Sequence, residues 1–386
     1  MRVTHVITRL IVGGAQENTI ATVLGLSKKP CIDVTLLTGP TFGAEGSLVS
    51  IFDNNPGIMQ EVSHLTRPVH PWKDILACRQ LWSHFLKQKP DVVHTHSGKA
   101  GILGRFAARQ AKVPMIIHSI HGPSFGAFQG LSANLFFRQA ERSAASITHH
   151  FISVAQAMTD QYLSAGIGKK CQFTRIFSGF RLEPYLEIGP VEKYRNRWGL
   201  TSDDFVIGKI ARLAPLKGHD DLLESAVQLL PKIPRLKVLL IGDGILKSQL
   251  ETRIRRMGLT DTVVFAGLVQ PHEVPACLGA MDAIVHLSRR EGLPRALSQA
   301  LAAGRPVVAY DCDGAREVCL PGLTGYLVSP GDILNVTQAL YELYRLPIRR
   351  KELGDYGRAY VQAEFSEAHM VDQIHKLYIQ LLNTHE

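Results

Sequence analysis

The chain has 386 residues, 45% hydrophobic and 20% charged, with a formal net charge of +9. Those proportions exclude a disordered or fibrous chain and allow two globular domains with full cores. No apolar run approaches the roughly 20 residues that cross a bilayer, and the opening MRVTHVITRLIVGG reads as a strand and turn, not a secretory leader.

The first predicted strand is RVTHVIT (2–8), which runs into RLIVGGAQENT (9–19). There Gly13 and Gly14 precede a helix, so backbone amides can approach an anion. The pattern is not GxGxxG, and no acid ends the second strand, DVTLLT (33–38). A tight strand–helix turn explains it nearly as well. In DILACRQLWSHFLKQ (74–88), Ile75, Leu81, Trp82 and Phe85 recur at helical spacing. Strand DVVHTH (91–96) puts His94 and His96 on one face, and Lys99 follows in a Gly-bearing turn. Two such imidazoles can ligate zinc, but no neighbouring carboxylate or thiolate completes a set. Lys99 at a helix start suits an anion; packing at the sheet edge is the plain alternative. Strand MIIHSI (115–120) ends at His121, ahead of a Gly-Pro, where an imidazole can bond a sugar hydroxyl or share a proton. Strand HFISVA (150–155) closes this series.

A Gly/Pro-bearing stretch, FSGFRLEPYLEIGP (177–190), separates a second series: FVIGKIA (205–211), KVLLIG (237–242), VVFAG (263–267), AIVHLS (283–288) and PVVAY (306–310). Helices are expected at about 219–231, 245–257, 294–303 and 333–345, and a last one over 366–386. Strand–helix alternation of this kind makes parallel sheets covered on both faces, here two doubly wound α/β domains, 1–180 and 181–365. Ligands then lie beyond the carboxyl ends of the strands, in a cleft between facing domains.

In KIARLAPLKGHDDLLESA (209–226), Arg212 and Lys217 precede a helix and can neutralise a diphosphate; solvated surface charge is the bland reading. IGDG (241–244) and AGLVQ (266–270) are glycine turns suited to a flat ring. Beyond AIVHLS, Glu291 stands before a helix that Pro294 opens near its first turn and that Gly304 and Pro306 stop. Ala296, Leu297, Ala300 and Leu301 form its apolar face. The layout fits a sugar nucleotide: hexose at Glu291, phosphates at the positive helix end, ribose near Gln299. The DxD at Asp311-Cys312-Asp313 borders this region without requiring a metal.

Taken together, GGAQ, His121-Gly, RLAPLKG, IGDG, EGLPRALSQALAAGRPVVA and DGAREV resemble the family-4 retaining glycosyltransferases of GT-B fold over nearly the whole chain. The resemblance implies two Rossmann-like domains facing across a cleft, with the acceptor bound by 1–180, the nucleotide-sugar donor by 181–365, and helix 366–386 packed back on the first. It assigns the diphosphate to Arg212 and Lys217, the donor hexose to Glu291, and a place beside the reacting sugar to His121. These four are the catalytic candidates. Gly14, Gly242, Leu268, Gly292, Leu293, Ala296, Leu297 and Gln299 complete the donor set, and Gly13, Lys99 and His121 the acceptor side. Gln299 departs from the family's usual Glu and loses the charge and bidentate geometry offered to a ribose diol. The implied activity is hexosyl transfer from a nucleotide-diphosphate sugar to a lipid-linked or polysaccharide acceptor, with no metal or cofactor.

The basic excess sits in residues 1–180, with eighteen Lys and Arg against nine Asp and Glu. Lys73, Arg79, Lys87, Lys89, Arg105, Arg109, Lys112, Arg138 and Arg142 can rest this half on anionic lipid. Six cysteines without CxxC or disulfide-like spacing fit reduced thiols, hence a cytoplasmic place, peripheral on the inner face of the plasma membrane. An epimerase or phosphorylase on the same fold is the nearest rival. A nucleic-acid binder would use the charge but leave Arg212, Lys217 and Glu291 without a purpose and lacks an aromatic-basic stripe, so no nucleic acid is expected.

Overall fold

The computed structural model describes residues 1–41, 46–126 and 129–385; the last position of the expected C-terminal segment, Glu386, lies outside them. The chain divides into two compact units, residues 1–180 with 367–386, and residues 181–366.

Unit 1 holds seven strands: β1 (Arg2–Ile7), β2 (Asp33–Thr38), β3 (Met59–Glu61), β4 (Val92–His96), β5 (Met115–Ile120), β6 (His150–Ser153) and β7 (Phe173–Arg175). They lie side by side as β3-β2-β1-β4-β5-β6-β7, every pairing parallel. Helices α1 (Gly14–Ser27), α2 (Pro71–Gln88), α3 (Gly98–Gln110), α4 (Leu131–Ala145) and α5 (Gln156–Ser164) make the crossovers. The strands are apolar on both faces because both are covered. One face packs Val6, Leu37, Val93 and Ile116 against Leu81 and Phe85 of α2 and Ala100 and Ala107 of α3. Ile75, expected on that face, is exposed: the buried stripe of α2 is Ala77, Leu81 and Phe85.

Unit 2 holds β8 (Phe205–Ile210), β9 (Leu236–Ile241), β10 (Val263–Gly267), β11 (Ala283–His286), β12 (Val307–Tyr310) and β13 (Gly325–Val328), ordered β10-β9-β8-β11-β12-β13 and again parallel. Its helices are α6 (Glu183–Leu186), α7 (Glu192–Arg197), α8 (His219–Leu229), α9 (Lys247–Arg256), α10 (Val274–Gly279), α11 (Arg295–Ala302), α12 (Ile333–Arg345) and α13 (Pro347–Glu364). In both sheets the order reverses beside the first strand of the unit, the switch point at which such sheets bind ligands.

Helix α14 (Glu367–His385) belongs to unit 1. The Glu367 amide donates to the Phe180 carbonyl at 3.2 Å, where the chain had left the unit. Met370, Val371, Ile374, Leu377 and Tyr378 join the core around Val3, Ile20, Val23 and Leu36. Burying each such side chain contributes on the order of 1.5–3 kcal/mol, so α14 is part of what holds the first sheet. No described helix is long and apolar enough to cross a membrane.

Candidate active site

In unit 2 the polar centre forms where β11 ends. The Glu291 carboxylate accepts from Lys217 Nζ at 2.6 Å and from His286 Nε2 at 3.1 Å, both on Oε1. Its own amide donates to the Asp313 carboxylate at 2.7 Å. Burial alone would raise the Glu291 carboxyl; the His286 hydrogen bond and the Lys217 ammonium outweigh it and hold it well below the usual carboxylate range. Burial likewise pushes the His286 imidazole down, against the pull of Glu291.

Lys217 reaches Glu291 because of Gly218. That residue caps α8 at φ +64, and a Cβ there would stand 2.1 Å from the Leu287 carbonyl oxygen. Only glycine lets the loop after β8 lie on the end of β11. The Leu216 carbonyl then accepts from the Arg289 amide at 2.8 Å, and Lys217 also approaches Ser288 Oγ at 3.4 Å. Arg212, on the same loop, is exposed and its guanidinium bonds nothing among the described residues. Gly242 follows β9 at φ +133, where a Cβ would meet the Ala211 carbonyl at 2.1 Å. Leu268 beyond β10 is 75% exposed, and Ile245 beyond β9, which the sequence did not single out, is 85% exposed.

The opening of α11 differs from expectation in two respects. Pro294 is the N-cap in an extended conformation, and the helix begins at Arg295. Leu297 is fully buried on the apolar face expected of it, whereas Ala296, expected on the same face, is only half-buried, on the side that the helix period shares with Gln299. Gly292 and Leu293 lie partly exposed in the loop, where the Gly292 carbonyl receives the Gly314 amide at 3.0 Å. The two acids of the DxD are engaged separately: Asp311 pairs with Arg316, and Asp313 holds Glu291.

Sequence reasoning missed His286 and Lys209. The first had one signal, since alternation along AIVHLS puts His286 and Ser288 on one face. Lys209 stands in β8 at 1% exposure, its Nζ unpartnered, and burial pushes its ammonium down to about 7.

In unit 1, Gly13 caps α1 and Gly14 is its first residue. Lys99 enters α3, yet its ammonium is bound to the Asp74 carboxylate of α2 and the Pro68 carbonyl. Its charge is balanced within the protein. Lys99 lines a cavity of about 590 Å³ with Arg9, Arg67, Ile102, Leu103, Phe136 and Phe137. His121 opens the loop after β5, and its Nε2 stands 3.0 Å from His96 Nδ1. His94 bonds Tyr378 Oη at 2.5 Å and Ser119 Oγ at 2.7 Å. A third imidazole, His5, joins His94 and His96; the three offer nitrogens within 4.8 Å of one another, the set in unit 1 that could hold a metal ion.

The basic surface is smaller than the sequence suggests. Arg105 is fully buried, its guanidinium 2.6 Å from Glu141. Arg138 and Arg142 both donate to the Ala165 carbonyl. Lys73, Arg79, Lys87, Lys89, Arg109 and Lys112 are exposed, as are the apolar Trp72, Leu76, Leu131 and Leu135.

Residues 190–360 match the family described as glycosyl transferases group 1, and residues 25–171 match the glycosyl transferase 4-like domain. A GDP-mannose-dependent monoacylated phosphatidylinositol monomannoside mannosyltransferase of Corynebacterium glutamicum is 30% identical over 270 residues, 67% of this chain and 68% of the relative. The UDP-Gal:α-D-GlcNAc-diphosphoundecaprenol α-1,3-galactosyltransferase of Escherichia coli is 28% identical over 328 residues, 83% of each chain. Among solved structures, Anabaena HepE in complex with UDP superposes with a TM-score of 0.82 at 21% identity, covering 98% of this chain and all of the other. The architecture is the GT-B pair of Rossmann-like domains.

Proposed function

The chain belongs to the group 1 glycosyl transferases, and from that premise we propose that it transfers a hexosyl group, with retention of configuration, from a nucleotide-diphosphate sugar to a lipid-linked or polysaccharide acceptor. The observation that carries this reading is the Lys217–Glu291–His286 cluster before α11, with Arg212 exposed on the same loop. Arg212, Lys217 and the positive end of α11 meet the diphosphate, whose departure is the hard step, and stabilise the charge it develops. They supply the cationic charge there, so EDTA leaves turnover unchanged. Glu291, kept ionised by its partners, accepts from hexose hydroxyls. To unit 1 this reading assigns Gly14 as a donor-binding residue and His121 as a partner of the reacting sugar. Gly242, Leu268, Gly292, Leu293 and Ala296 line the nucleotide, and Gln299 offers its amide to the ribose. A leaving phosphate oxygen takes the acceptor's proton on the same face.

The acceptor enters unit 1, near Gly13 and Lys99. Arg9 and Arg67 suit a phosphate, and Ile102, Leu103, Phe136 and Phe137 suit the first part of a lipid. Exposed Lys73, Arg79, Lys87 and Trp72 support the further reading that the same unit rests on an anionic membrane from the cytoplasmic side. The relatives' names carry both UDP-galactose and GDP-mannose. Calorimetry against UDP and GDP sugars therefore decides the base, and NMR of the product's anomeric centre decides retention. An inverted product, or no sugar nucleotide bound, overturns the proposal. Flotation with phosphatidylglycerol vesicles at low salt tests the membrane; protein left at the bottom refutes that part.

A further inference from the structure

His121 is the outer end of a file of imidazoles. Its Nε2 lies 3.0 Å from Nδ1 of His96, and Nε2 of His96 lies 2.9 Å from Nδ1 of His5. The rings are near parallel, at 24° and 17°, with centroids 5.3 and 5.2 Å apart, so that they meet edge to edge. His5 comes from β1, His96 from β4 and His121 from the loop after β5, three adjacent parallel strands. His5 and His96 are buried, and Nε2 of His5 finds no partner. Nδ1 of His121 makes no hydrogen bond among the described residues. His94 packs 4.3 Å from His96 but commits both nitrogens to hydroxyls, so it stands outside the file.

A neutral imidazole carries one N–H and one lone pair. Two hydrogen bonds in series through His96 must therefore point the same way. In one direction His5 Nδ1–H donates to His96, His96 Nδ1–H donates to His121 Nε2, and the His121 proton sits on Nδ1. The buried orphan is then a lone pair on His5. In the other direction every proton moves to the opposite nitrogen, and the orphan is a buried N–H. Orphaned buried N–H groups are the rarer arrangement, unused acceptors the commoner. We infer that His96 and His5 are positioning residues that hold His121 as the neutral tautomer protonated on Nδ1, so that it meets a substrate oxygen as a hydrogen-bond donor. This rests on the proposed place of His121 against the donor. Burial supports neutrality, pushing His5 down to about 3 and His121 to about 4.

Imidazole ¹⁵N spectra of the full chain, assigned through His121→Ala, read the tautomer directly. The expected result is His121 protonated on Nδ1, with Nε2 accepting. His96→Phe keeps a ring and removes both bonds. It should populate the other tautomer of His121 and lower kcat by about 10- to 100-fold, as loss of an orienting partner does, while donor KM changes little. His96→Gln, whose amide still donates, should recover part of both. Should His96→Phe fail to fold, the wild-type spectrum still decides: His121 protonated on Nε2 overturns the inference, as does a metal ion retained stoichiometrically by the purified protein. If His121→Ala turns over normally, the placement of His121 fails and the inference with it. If His121→Ala is impaired while His96→Phe keeps wild-type kcat and tautomer, the placement stands and the inference alone falls.

Discussion

Both units build a polar centre on parallel strands, unit 1 within β1 and β4 and at the end of β5, unit 2 at the end of β11, yet from opposite electrostatics. Unit 1 gathers uncharged imidazoles that bond one another and the hydroxyls of Ser119 and Tyr378. Unit 2 gathers a carboxylate, an ammonium and an imidazole on one oxygen. A neutral cluster can be sealed in the core, because it has no charge to desolvate. A charged one stays half-buried and keeps its ions through mutual attraction. Burial thus suppresses ionisation in the first and is outweighed by charge in the second.

The largest effect should come from breaking the charged pair that is sealed inside unit 1, Arg105 with Glu141. Glu141→Ala strands Arg105 in the core and is expected to cost about 3–5 kcal/mol, read from the urea midpoint; a shift under 1 kcal/mol would mean that water reaches Arg105. Next comes Lys217→Ala in unit 2, where turnover should fall at least about tenfold while the melting temperature moves little. A purely structural Lys217 would show the reverse. Acid separates the units themselves. His5, His94, His96, His118 and His121 are all held below their ordinary value by burial. Folding gains from such groups above about pH 6.5 and loses that gain as pH falls toward 4, by at most about 1.4 kcal/mol per pH unit for each imidazole. Glu291 is also depressed, but its contribution persists to below about pH 4.5 before it is lost. Hydrogen exchange followed by mass spectrometry between pH 7 and 4.5 should therefore loosen β1, β4 and β5 before the loop at Glu291; simultaneous loosening contradicts the contrast. The smallest effect is Tyr378→Phe, which removes one hydroxyl from His94 and should cost about 1 kcal/mol, measured in the same urea titration.

Much of this was legible from residue order. Two series of short β-rich runs and helical patterns give two parallel sheets, since a strand flanked by crossover helices must be apolar on both faces. The strands that escaped, β3, β7 and β13, are edge strands of three or four residues, too short for a pattern. The loop positions of Arg212, Lys217, Glu291 and His121 were readable because each follows a strand.

What the order of residues settled by itself was the alternation of elements and the loops that carry polar groups. Partnership was decided only by folding. His5 lies 91 positions from His96, and nothing local says that β1 will pair with β4 in the register that sets His5 beside His94. The same holds for Arg105, which reads as a surface charge until α3 and α4 bring Glu141 against it in the core. A period along the chain tells which face a side chain takes. What waits on that face depends on contacts between distant segments, whose free energy exists only once the sheet is assembled.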